Sequence, residues 1–124
     1  MLVVVVAVGR ALCLAKSVEA GEILDMPSDP TLSDGTAGGI EAGAITFELC
    51  DVLIDEFVVV SEAEITAAMR SYIEVEKEPI EGAAGVALAG VLQRREEIAG
   101  RKVAVIICGG NVTQQVLDQI EVSQ

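Results

Sequence analysis

Residues 57–65 read Phe57-Val58-Val59-Val60-Ser61-Glu62-Ala63-Glu64-Ile65, and this stretch decides the fold class. The run Phe57–Val60 is apolar and mostly β-branched, with no polar residue alternating in it. That pattern predicts a strand buried on both faces. Ser61 followed by Glu64 is a capping box: the hydroxyl satisfies the N3 amide and the carboxylate reaches back to the Ser61 amide. It opens a helix expected over 62–75. A strand leading straight into a capped helix is half of a strand–helix–strand unit.

Working outward, Val3 to Val8 is a second β-branched run of the same kind. Gly9 turns the chain into a helix over Arg10–Ala20, with Gly21 where a C-cap glycine belongs. Asp25 to Gly43 is irregular, punctuated by Pro27, Pro30, Gly35, Gly38 and Gly39. Loops this long inside compact domains are usually functional or disordered. Ala44–Val52 is expected to be helical, and so is Gly82–Ala99, whose apolar residues cover most of its faces. Val103–Cys108 reads as a third strand, followed by a Gly109-Gly110-Asn111 turn and a helix over Val112–Ile120. Strands alternating with helices predict an α/β fold, a parallel β-sheet with helices on both faces. Three very apolar strands are few for an independent parallel sheet, and the first begins almost at residue 1. The chain is therefore expected to be part of something larger.

Composition narrows the chemistry. The chain has 124 residues, enough for one ordinary domain. With 52% hydrophobic residues it has the aliphatic surface to fold, despite a net charge of −12. That acidity argues against nucleic acid, whose phosphates need clustered Lys and Arg. There is no His, which excludes Ser-His-Asp chemistry and most zinc sites. Cys13, Cys50 and Cys108 are odd in number and have no CxxC spacing, so a reducing cytoplasm is the expected compartment. The apolar start is too short to span a bilayer and is interrupted by Arg10, so no membrane is expected.

Chemistry in an open α/β sheet sits beyond the carboxyl ends of the strands. Cys108-Gly109-Gly110-Asn111 stands there. Its two glycines admit a ligand close to the backbone, although a buried Cys in a plain turn has the same sequence. Glu81-Gly82-Ala83-Ala84-Gly85 opens the most apolar helix. Glu81 suits the helix dipole by roughly 0.3–1 kcal/mol, while the small residues permit tight packing against a ligand site. Asp34-Gly35 is a turn dipeptide or the wall of a pocket. Glu74, Glu76 and Glu78 form a solvated face, and Cys13 and Cys50 fall at core positions of helices.

Together, the pieces Ser17-Val-Glu-Ala-Gly21, Pro30-Thr-Leu-Ser-Asp34-Gly35, Val58-Val-Val-Ser61-Glu-Ala-Glu64-Ile65, Ala68-Met69, Glu81-Gly-Ala-Ala-Gly85 and Cys108-Gly-Gly-Asn111 resemble the threonine/serine dehydratase family. Those are pyridoxal 5'-phosphate (PLP) enzymes of fold type II, the tryptophan-synthase-β-like fold. The resemblance runs from about residue 9 to residue 120. It implies that Cys108 faces the pyridine nitrogen of PLP, with Gly109, Gly110 and Asn111 beside it. It also implies that Glu81 points toward the cofactor and that Asp34 and Gly35 lie next to it. A neutral thiol at Cys108 leaves that nitrogen largely unprotonated and favours β-elimination. The implied reaction turns threonine or serine into a 2-oxo acid and ammonia.

The chain departs from the family pattern in its lysines. The family's Schiff-base lysine stands in a Ser-x-Lys-x-Arg-Gly-like motif, and Lys16, Lys77 and Lys102 have no such context. The tetraglycine loop for the PLP phosphate is missing as well. Some members hold a divalent metal with carboxylates after the strand matching Val3–Val8, but Ala7-Val-Gly-Arg-Ala-Leu-Cys13 offers none, so no metal is expected. The resemblance therefore implies a single partial α/β domain over 1–124. It would be the C-terminal portion of the large domain, inactive alone and partnered by itself as a homo-oligomer or by a complementary N-terminal chain. Two other readings stay open: a non-catalytic module pairing through its bare sheet edge, and an amino-acid sensor.

Overall fold

A computed structural model describes residues 1–120. Strand β1 (Val4–Val8) leads through a tight turn, where the Ala11 amide donates to the Val8 carbonyl at 2.9 Å, into helix α1 (Cys13–Ala20). Gly21 closes α1 in the left-handed conformation, φ 72°, as a C-cap glycine does. The loop that follows contains one 3-10 turn, Asp34–Thr36, and ends at helix α2 (Ile45–Leu53). Strand β2 (Glu56–Val60) runs directly into helix α3 (Glu62–Glu76), and a short link then leads to helix α4 (Gly82–Gln93). Helix α5 (Gln114–Gln119) comes last among the described residues.

The two strands pair in parallel, Val4 with Glu56 through Val8 with Val60. Helix α4 packs against both, and α3 packs on α4. The main core is Val8, Val60, Ile65, Ala68, Met69, Ile80, Ala84, Val86, Ala89 and Ile120. Helix α1 packs on α2, and neither adds a buried residue to that core. Helix α2 leaves Ile45, Leu49, Val52 and Leu53 exposed, Val52 at 80%.

Three glycines explain how closely α4 sits. A Cβ on Gly82 would lie 2.0 Å from the Leu32 carbonyl oxygen. On Gly85 it would lie 2.5 Å from Met69 Cγ, and on Gly90 2.4 Å from Val6 Cγ2. One helix thus meets the loop, α3 and β1 through a missing side chain at each point.

Two expectations are corrected. Val103–Cys108 is not a strand: no ladder forms there, and Val103, Ile106 and Ile107 stay exposed. A β-branched run needs a neighbouring edge to pair with, and among the described residues no strand is hydrogen-bonded to it. The helix expected over 82–99 ends at Gln93 and gives way to successive turns, with Ile98 accepting from the Arg101 amide at 2.9 Å. Cys13 is buried as expected, but Cys50 is only half-buried and Cys108 is exposed.

The capping box is present in full. The Ser61 amide donates to Glu64 Oε2 at 2.8 Å, and the Glu64 amide donates to Ser61 Oγ at 3.3 Å. These Ser61 donors, with a smaller contribution from the Gln93 amide, hold the Glu64 carboxyl below its usual value. The folded value lies under the unfolded one. The stabilisation is therefore present above the unfolded value of about 4.3 and disappears as the pH falls through the folded value. Glu64→Gln is expected to cost about 1 kcal/mol or less near neutrality, given the exposure of the pair. In urea denaturation the gap between variant and parent should close at pH 3. A gap that persists there would show the charge to be irrelevant.

Candidate functional site

The 3-10 turn, the N-terminus of α4, residues 111–113 and the N-terminal half of α3 converge on one cleft of about 660 Å³. Asp34, Gly35, Glu81 and Asn111 line it, together with Arg10, Glu62, Thr66 and Thr113. Four of the residues marked by the sequence are thus brought together from three separate stretches. A second hollow of about 560 Å³, between Ile23–Asp25 and α2, holds none of them.

Glu81 joins the cleft to the Cys108 turn. It is the N-cap residue of α4, and its amide donates to the Gly109 carbonyl at 3.0 Å. Its side chain makes no capping bond and lies instead over Gly109, where a Cβ would come within 2.5 Å of Oε2. Gly110 is packed the same way, with a Cβ position 2.8 Å from the Pro79 carbonyl oxygen. Gly110 is therefore required by close approach to the Pro79 backbone, whereas at Gly109 only the mobile Glu81 carboxylate would have to yield. Cys108, Gly109 and Gly110 stand behind Glu81 and are not part of the cleft lining.

Cys108 is held neutral. Desolvation by its neighbours is the larger cause, followed by hydrogen bonding to the Glu81 carboxylate and that group's negative charge; together they push the thiol up from its ordinary value. A thiol in this state is a weak donor and a poor nucleophile.

The Asp34–Gly35 turn is fixed from within. Thr36 Oγ1 donates to the Ser33 carbonyl at 2.9 Å and sits 2.7 Å from the Ser33 hydroxyl, and Ser33 itself is fully buried. The Gly35 amide donates to Asp34 Oδ1 at 2.8 Å. Arg10 reaches the Pro30 carbonyl at 2.8 Å and so pins the start of the same loop.

None of the three lysines lines the cleft. Lys16 pairs with Glu19 on α1, and Lys77 forms the left-handed C-cap of α3. Among the described residues no group of His, Cys, Asp and Glu is arranged to hold a metal ion, and no helix is long and apolar enough to cross a membrane. Arg10, Glu62, Thr66 and Thr113 were not singled out by the sequence. Each lies in an ordinary local context, and what brings them to the cleft is contact across the fold.

Comparison with known proteins places these features in a family. The model of the pyridoxal-phosphate dependent enzymes matches residues 1–109. The L-threonine ammonia-lyase of Thermotoga maritima is 38% identical over 104 residues, covering 84% of this chain and 25% of that protein. The catabolic L-threonine dehydratase of Escherichia coli K12 is 36% identical over 109 residues, covering 86% of this chain and 33% of that protein. Maize serine racemase superposes with a TM-score of 0.81 at 28% identity, over 95% of this chain and 37% of the racemase chain. The chain thus spans about a quarter to a third of the length of the curated relatives it matches.

Proposed function

This chain belongs to the pyridoxal-phosphate-dependent enzymes, and on that premise we propose that it forms one wall of a cofactor site for deaminating a hydroxy amino acid. Threonine is the substrate named in the Thermotoga and E. coli relatives, and the products from it would be 2-oxobutyrate and ammonia. The observation that carries the reading is the position of Glu81. It lies against Gly109, next to Cys108, at the edge of the cleft that Asp34 and Gly35 line.

These residues fit the ring-nitrogen end of the cofactor. Cys108 is uncharged, so a pyridine nitrogen brought beside it would not be protonated by it. Gly109 and Gly110 let the turn close under Pro79 and Glu81, which keeps Cys108 beside Glu81. Glu81 and Asp34 would orient the polar edge of the bound molecule, and Asn111 adds an amide to the same cleft. When bound, PLP supplies an electron sink for bond breaking at the amino acid's α-carbon.

The phosphate and aldehyde ends find no matching partners in these residues, because neither the tetraglycine loop nor the anchoring lysine motif is in the sequence. We assign both to a complementary segment, which would also offer the 103–108 run a strand to pair with. The 124 residues alone are then expected to produce no 2-oxobutyrate from PLP and threonine. A chimaera tests the positive half. Residues 1–109 would replace the matching stretch of the E. coli catabolic dehydratase, which is expected to keep its threonine turnover. A folded, PLP-loaded chimaera without turnover would overturn the reading, and so would turnover by the 124 residues alone.

A further inference from the structure

Glu62 is the first residue of α3, where an acidic side chain needs no special reason because the helix dipole favours it. Its carboxylate is nonetheless directed at a loop thirty residues away in sequence. Oε1 accepts from the Thr31 hydroxyl, and Oε2 accepts from the Leu32 amide at 2.9 Å. Thr31 Oγ1 in turn accepts from the Ser33 amide at 3.2 Å. The next carbonyl, Leu32 O, is the atom seated on Gly82 at the start of α4. Beyond it the buried Ser33 closes the 3-10 turn that presents Asp34 and Gly35.

We propose that Glu62 is the positioning residue of the cleft. By holding Thr31 and Leu32 against the N-terminus of α4, it sets where Asp34 and Gly35 stand relative to Glu81. The proposal deepens the cofactor-site reading and rests on it for the meaning of the cleft. The physical argument is satisfaction of buried groups. Thr31 and Leu32 are half-buried, and a carboxylate is the acceptor that serves a hydroxyl and an amide at once. With the carboxylate gone, the Leu32 amide has no acceptor and the segment is left on α4 by the packing of Leu32 and Ser33 alone. Glutamine can substitute, because its oxygen accepts from Leu32 and its amide nitrogen can donate to the Thr31 oxygen.

The test is amide hydrogen exchange in the full chain, comparing residues 31–36 with residues 84–90 of α4. Glu62→Ala is expected to accelerate exchange across 31–36 by about tenfold, with α4 changed less than about twofold. Glu62→Gln is expected to restore most of the protection. Thr31→Val, which removes one of the two donors, is expected to give a smaller acceleration in the same segment, and it keeps the test open should Glu62→Ala not fold. Equal acceleration in α4, no acceleration in 31–36, or a glutamine variant as fast as alanine would each overturn the proposal. The dehydratase chimaera separates the two ideas. If exchange follows the expectation but the folded, PLP-loaded chimaera described above has no threonine turnover, Glu62 still positions the loop and the cofactor reading fails.

Discussion

Gly82→Ala is expected to destabilise the fold by about 3 kcal/mol, although helix propensity alone gives the opposite sign. Alanine in place of glycine within a helix is worth up to about 1 kcal/mol. The added methyl also trims the freedom of the unfolded chain by a few tenths to about 1 kcal/mol. Against this, the new Cβ would sit 2.0 Å from the Leu32 carbonyl oxygen, 2.6 Å from its carbon and 2.7 Å from Ser33 Cα. All three are backbone atoms, so no rotamer change relieves the overlap. Overpacking of side chains alone costs about 1–3 kcal/mol, and a rigid neighbour puts this case at or above the upper end. The loop must leave α4 or the helix must move off β1. Gly39→Ala is the control, since a Cβ there meets nothing within 4 Å; it should change stability by less than about 1 kcal/mol. Urea unfolding of both variants decides the matter, and a Gly82→Ala protein as stable as its parent would refute the contact.

Met69 is expected to be as costly to remove and to reveal a coupling. Its side chain is fully buried between α3 and α4. Met69→Ala should lose about 2–5 kcal/mol through lost burial and the space left behind. Gly85→Ala should also destabilise, because its Cβ would lie 2.5 Å from Met69 Cγ and 3.3 Å from Ile65 Cγ2. In the double variant the methyl at 85 enters the space that Met69 vacates. The combined loss is therefore expected to fall short of the sum by about 1 kcal/mol or more. Additivity within about 0.3 kcal/mol would mean that the two residues do not share that space.

What was legible in the sequence is what depends on neighbours along the chain. The Ser61–Glu64 box, the Gly21 cap and the Asp34–Gly35 turn are local bargains between a side chain and its own backbone, and each is present. The runs 4–8 and 56–60 became strands because they found one another. The run Val103–Cys108 has the same composition and did not, since pairing belongs to two segments and composition to one. The small residues at the start of α4 suggest tight packing against a ligand site. Gly82 and Ala83 do line the cleft, and Gly82, Gly85 and Gly90 also admit Leu32, Met69 and Val6, three contacts that no spacing rule encodes. Of the candidate site, the chemistry-bearing residues stood out by type. Glu62 did not, because its partners lie thirty positions away and its own surroundings are those of any capped helix.

The unpaired run has a consequence for the chain in crowded solution. Val103-Ala-Val-Ile-Ile-Cys108 carries no charge, no proline and no glycine, and its large side chains face water. An exposed segment of that length and composition is a sequence-level hazard for stacking on copies of itself. Arg101 and Lys102 on one flank are gatekeepers, whose like charges would be brought together in any in-register stack. Gly109 and Gly110 guard the other flank more weakly, by their poor β-propensity. The net charge of −12 adds repulsion between whole molecules, which salt screens over about 10 Å at 0.1 M. Any self-association through this run is thus expected to respond to ionic strength as well as to concentration.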